Sequence, residues 1–141
     1  MITITDYWMG RDAEYPLAMS PDIERNAHRT CELVSKLIAI ARTAGVPFLL
    51  NPRTGSNVSS GWRPPALNAI TPNAAKRSLH MTGQAVDVYD PHGTIDRWLM
   101  TDDGQRTIKD LGLWMEHPSA TPGWAHVQTM PPRSGNRVFK P

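Results

Sequence analysis

The sequence predicts an α+β fold, a small antiparallel sheet packed by helices, on three observations. The stretch 21–44 repeats apolar residues at helical spacing. Short segments near 58–62, 84–89, 113–116 and 124–129 are β-prone. The 13 prolines and 10 glycines break up the remainder, predict many loops and argue against long uninterrupted helices. A length of 141 residues fits one domain spanning 1–141. With 40% hydrophobic and 20% charged residues, the chain has enough apolar surface to form a core without covalent staples.

Taken in order, Ser20 offers a capping hydroxyl, Pro21 suits the first helical position, and Asp22 and Glu24 face the positive end of the dipole. Ile23, Ala27, Cys31, Val34, Ile38 and Ala41 then mark one buried stripe, closed by Arg42 and Gly45. Phe48, Leu49 and Leu50 read as a short buried strand, 52–57 as a turn-rich loop and 58–62 as a second strand. Pro64 and Pro65 start a short helix through Ile70. In 84–89, Ala85, Asp87 and Tyr89 share one face and Val86 and Val88 the other. A turn at 90–93 exposes His92. Thr94 caps a helix carrying Ile95, Trp98 and Leu99, and a further helical turn or two spans 105–111. Strands at 113–116 and 124–129 form a hairpin around the loop 117–123, and the basic, proline-rich tail 131–141 lies on the surface.

Composition excludes several classes. A single cysteine, Cys31, forbids an intrachain disulfide or a cysteine zinc cluster, and its place on the apolar stripe makes it core. The net charge of +2 comes from Lys and Arg spread along the chain, which gives nucleic-acid binding little support. No apolar run approaches the ~20 residues of a membrane span. Asp6, Asp12 and Glu14 in a stretch without a basic-then-apolar pattern argue against a secretory leader, so a cytoplasmic location is expected.

Chemistry concentrates at His80, Asp87 and His126. Two imidazoles and a carboxylate are the ligand set of an open catalytic zinc site, although a His and an Asp seven residues apart are weak evidence by themselves. Their surroundings are more specific. Ser60-Gly61-Trp62-Arg63, then Asn68, then Ser-x-His-x-x-Gly-x-Ala-x-Asp at 78–87, then Trp-x-His-x-Gln at 124–128 together resemble the zinc peptidases that cleave bacterial cell-wall peptides. That family includes D-Ala-D-Ala carboxypeptidases, vancomycin-resistance dipeptidases and phage L-Ala-D-Glu endolysins, and it shares its fold with the hedgehog signalling domain. The matched region, 60–128, covers about half of the chain.

The resemblance implies a zinc cleft on the sheet, with His80, Asp87 and His126 as ligands to Zn2+ and the peptidoglycan stem peptide as substrate. It implies that Ser78 supports the first ligand and borders the substrate, and that Arg63 clamps a substrate carboxylate or stabilises developing negative charge. Trp62 stands where the family usually has tyrosine. Gln128, two residues beyond His126, points to the same face and is expected to line the cleft. One departure concerns the general base, since the positions two and three residues before the last ligand are Trp124 and Gly123, neither of which accepts a proton. Glu116 is the expected substitute: a hairpin pairing Glu116 with Trp124 and Trp114 with His126 would put all four on the ligand face. His117 is the second candidate. Endopeptidase and carboxypeptidase action both remain open. A monomer acting in the cytoplasm, released by a phage holin or carried in a virion is expected. The alternatives are a non-hydrolytic zinc-binding module and a virion structural protein.

Overall fold

The computed structural model describes residues 1–141. The chain opens with two short helices, α1 (Ile4–Trp8) and α2 (Arg11–Glu14), and a 3-10 turn at Pro16–Ala18. Thr3 and Asp6 form a reciprocal capping box at α1, which turns Tyr7 and Trp8 inward. The Tyr7 hydroxyl donates to the Ala85 carbonyl at 2.8 Å, and Trp8 meets Trp62 edge-on at 5.7 Å. This opening segment is therefore part of the core, a role that its local sequence does not announce.

Helix α3 (Pro21–Thr43) follows the expected boundaries closely, with the Ser20 hydroxyl accepting from the Ile23 amide. It buries Ala27, Cys31, Val34, Ile38 and Ala41 of the predicted stripe, together with Leu33 and Leu37. At 23 residues it is longer than the proline and glycine content suggests, because none of those residues falls within 22–43.

Beyond α3 come β1 (Val58–Ser60), α4 (Pro65–Ile70), β2 (Ala85–Tyr89), α5 (Thr94–Leu99) and α6 (Asp102–Asp110). The chain ends with β3 (Trp114–Glu116), a 3-10 turn at Pro118–Ala120, β4 (Trp124–Gln128) and β5 (Val138–Phe139). The sheet order is β1-β2-β4-β3-β5. Period-2 alternation sends Val86, Val88, Ala125 and Val127 into a cluster of 22 buried apolar residues shared with α3. Asp87, His126 and Gln128 take the opposite face.

The sheet is mixed, which corrects the antiparallel expectation: β5 runs parallel to β3. Strand β4 ends beside the start of β3, so a tail that turns there and crosses to the open edge of β3 runs in β3's own direction. The Met115 and His117 amides donate to the Arg137 and Phe139 carbonyls, so the tail covers an edge as well as lying on the surface.

Three further expectations fail. Residues 48–50 are not a buried strand; Leu49 and Leu50 are exposed and the segment is a loop held by the Asn57 amide, which donates to the Leu49 carbonyl. An apolar run without a strand partner has no ladder to join. Thr94 is not the cap of α5. Gly93 occupies that position, and the buried Asp90 carboxylate accepts the amides of Thr94, Ile95 and Asp96 at 2.8, 3.1 and 2.9 Å. Helix α6 also starts earlier than 105, because Thr101 caps it through the Gly104 amide.

Beside Asp90, Asp96 is 4% exposed and accepts from the Thr121 hydroxyl at 3.2 Å, while its Oδ1 has no partner. Burial pushes its carboxyl up to about 7, with the negative charge of Asp90 adding to the effect and the Thr121 hydrogen bond opposing it.

Candidate metal centre

Strands β2 and β4 pair so that Asp87 lies directly opposite His126. His80 reaches the same point from the loop before β2, whose path depends on two glycines. Gly83 has a φ of +78°, and a Cβ there would stand 2.8 Å from the Ile23 carbonyl oxygen of α3. Gly61 lies so close to α1 that a Cβ would fall 2.0 Å from the Tyr7 carbonyl oxygen. With that approach permitted, the Gly61 carbonyl sits 2.8 Å from His80 Nδ1, and the Arg63 amide donates to the His80 carbonyl.

His80, Asp87 and His126 bring one donor atom each to within 4.8 Å of one another, and together they can hold a metal ion. Their hydrogen bonds define which atoms are free to do so. The Gly61 carbonyl only accepts, so His80 Nδ1 carries a hydrogen and Nε2 faces Asp87 Oδ2 at 3.4 Å. Gln128 Nε2 donates to the Met130 carbonyl at 2.7 Å, which turns Oε1 toward His126 Nε2 at 3.0 Å. His126 Nε2 therefore donates, and Nδ1 faces Asp87 Oδ1 at 2.8 Å. Each ring is held from behind by a protein acceptor, as metal-ligating imidazoles are, and the set of two nitrogens and one oxygen suits a divalent transition metal.

The electrostatics match. Burial opposes ionisation of Asp87, but the facing imidazoles of His80 and His126 outweigh it and hold the carboxyl well below the ordinary range. Burial works against protonated His126, yet Asp87, Glu116 and Gln128 together raise its pKa. A metal competes with the proton that Asp87 favours on Nδ1, so occupancy is pH-dependent.

Ser78 and Arg63 fall beside this group. The Ser78 hydroxyl oxygen accepts from the His80 amide at 3.3 Å and from Arg63 Nη2 at 3.2 Å. Arg63 Nε donates to Asn68 Oδ1 at 2.9 Å, and the Asn68 amide is itself anchored on the Ala75 carbonyl. Asn68 thus orients Arg63, a role that a side chain five positions away does not reveal in sequence. Burial lowers the Arg63 pKa, and the charge of Asp87 partly restores it. Trp62 is fully buried, donating from its indole to the Met81 carbonyl, and so packs rather than lining the cleft.

The hairpin register corrects the expected pairing. Trp114 opposes Gln128 and Met115 opposes Val127, which puts Glu116 directly across from His126 rather than across from Trp124. The shift of two preserves parity, so Glu116 stays on the ligand face, with Oε1 3.9 Å from His126 Nε2. His117 instead caps the Pro118–Ala120 turn, its Nδ1 accepting from the Ser119 amide.

Glu116, His126, Gln128 and Ser78 border a cavity of about 760 Å³. Gln128 lines it as expected, but both ends of its amide are occupied, by His126 and Met130. The far wall is the C-terminal tail, with Phe139 edge-on to His126 at 6.4 Å. No helix is long and apolar enough to cross a membrane. Comparison with protein-family models, curated proteins and solved structures finds no match for the chain.

Proposed function

We propose that the chain is a zinc-dependent peptidase that hydrolyses an amide bond in the stem peptide of bacterial peptidoglycan, of the D-Ala-D-Ala carboxypeptidase or L-Ala-D-Glu endopeptidase type. The observation that carries this reading is the convergence of His80, Asp87 and His126, each imidazole oriented from behind, next to a cavity that His126 and Glu116 both line. Zinc at such a site polarises the scissile carbonyl and makes water nucleophilic at neutral pH.

In this reading Glu116 takes the proton from the attacking water and passes it to the leaving amine. What supports that role is its place on the wall of the cavity that His126 also borders, since its 3.9 Å approach is to Nε2, the nitrogen turned away from Asp87. Arg63 has two of its nitrogens committed to Asn68 and Ser78, while Nη1 has no protein partner and can face a substrate oxygen that gains negative charge. Both bonds keep the guanidinium from swinging away, which is the preorganisation such a role requires. The test is digestion of purified peptidoglycan by zinc-loaded protein, with mass spectrometry of the released fragments. New amine and carboxyl termini at one stem-peptide bond, lost on chelation and restored by zinc, are expected. Intact peptidoglycan after incubation with fully loaded protein would overturn the proposal in favour of a non-hydrolytic module.

A further inference from the structure

Three cations that are far apart in the sequence, Arg77, Arg133 and Lys140, line one cavity. Most of the cavity's lining comes from two segments, 75–79 and 131–141, which contain five Lys and Arg, three of them on the lining itself, and no Asp or Glu, whereas the remaining residues have ten Lys and Arg against thirteen acids. Four of the exposed cations elsewhere have partners: Arg25, Arg29 and Lys36 on α3 and Arg106 on α6 pair with acids three or four residues away, whereas Arg42, Arg53, Arg97 and Lys109 stand singly on other parts of the surface. Arg77 on one wall and Arg133 and Lys140 on the other are exposed and pair with no carboxylate. Glu116 is the one acid bordering the cavity, and it lies at the His126 end.

We infer that this cleft selects an anionic peptide, one with free carboxylates beyond the amide to be cleaved, held between Arg77 and the tail cations Arg133 and Lys140. The peptide character rests on the peptidase reading; the anionic character rests on charge alone. Like charges on facing walls of a cavity raise its potential and favour a ligand that neutralises both. Proline at 131, 132 and 141 and the pairing of β5 with β3 limit the tail's freedom, so its cations are presented at a defined wall. Leu79 and Phe139 add apolar surface to the same lining, which suits a peptide with short side chains better than a bare polyanion.

The test measures binding and cleavage separately, using fluorescein-labelled alanine- and glutamate-containing pentapeptides with either free carboxylates or all carboxylates converted to amides. By fluorescence anisotropy, the acid form should bind about tenfold more tightly at low salt, as three weak charge pairs would give, and the advantage should shrink as salt is raised. Arg133→Gln with Lys140→Gln should remove most of that preference, while Arg97→Gln on α5, outside the cavity, should leave it intact. Equal binding of the two peptides, or a preference that survives the double substitution, would overturn the inference. So would tighter binding of a single-stranded oligonucleotide of equal charge. Preferential binding without cleavage by zinc-loaded protein supports the anionic cleft and defeats the peptidase reading. Cleavage of both peptides with equal kcat/KM does the reverse.

Discussion

Asp87 and Asp96 are both largely withdrawn from water, and their surroundings drive them to opposite protonation states. Asp87 faces two imidazoles across β2 and β4 and stays ionised against the cost of burial. Asp96 faces Asp90 and one hydroxyl, keeps an oxygen without a partner, and holds its proton up to about pH 7. Burial alone therefore does not make a carboxylate a ligand. Opposed donors do: Asp87 has an imidazole nitrogen facing each of its oxygens, at 3.4 and 2.8 Å.

The comparison is broken most directly at Asp87. Asp87→Asn should abolish stoichiometric zinc, measured by metal analysis of protein purified without added metal, and activity with it. The same analysis of Asp96→Asn should show metal unchanged, and zinc retained in Asp87→Asn would end the ligand assignment. Glu116→Gln should keep zinc and fold but lower the rate at least about a hundredfold, read as kcat on a stem-peptide substrate. If His117→Ala is the slower variant instead, the proton acceptor is His117.

Arg63→Lys keeps the charge but cannot span Asn68 and Ser78, so kcat should fall about 10- to 100-fold with little change in melting temperature. Parental activity in that variant would refute a role for the planar fork.

The smallest effect is expected at Asp96. Its folded pKa of about 7 lies above the ordinary 3.8, so the folded state keeps a proton that the unfolded chain gives up as pH rises from about 4. Stability should therefore fall across that interval and level off above pH 7. Asp96→Asn should flatten the dependence, gaining roughly 3 °C or more over the parent at pH 8 while gaining little at pH 4. A parent melting temperature independent of pH between 4 and 8 would contradict the shift.

Much of this arrangement is legible in the sequence where a local period carries it. The stripe of α3 and the alternation in β2 and β4 put Asp87, His126 and Gln128 on the face away from the valines, as the structure has them. What the sequence conceals depends on distant partners. Two residues of β5 carry no period, and Leu49 and Leu50 look like a strand only until a neighbour is sought. The 3-10 turn at Pro118–Ala120 and the hairpin register were equally hidden. The gathering of Arg77 with Arg133 and Lys140 joins segments more than fifty residues apart, which no window of sequence can display.

The two histidines differ in how exposed their orientation is to mutation. His126 is aimed by the side chain of Gln128, so one codon change can release it. His80 is aimed by the main-chain carbonyl of Gly61, an atom every amino acid carries, so no substitution deletes the acceptor. What substitution can do is displace it: any Cβ at 61 collides with Tyr7. The vulnerability of that half of the centre thus lies in the packing of α1 rather than in the acceptor, and the aim of His80 depends on the placement of Tyr7 near the start of the chain.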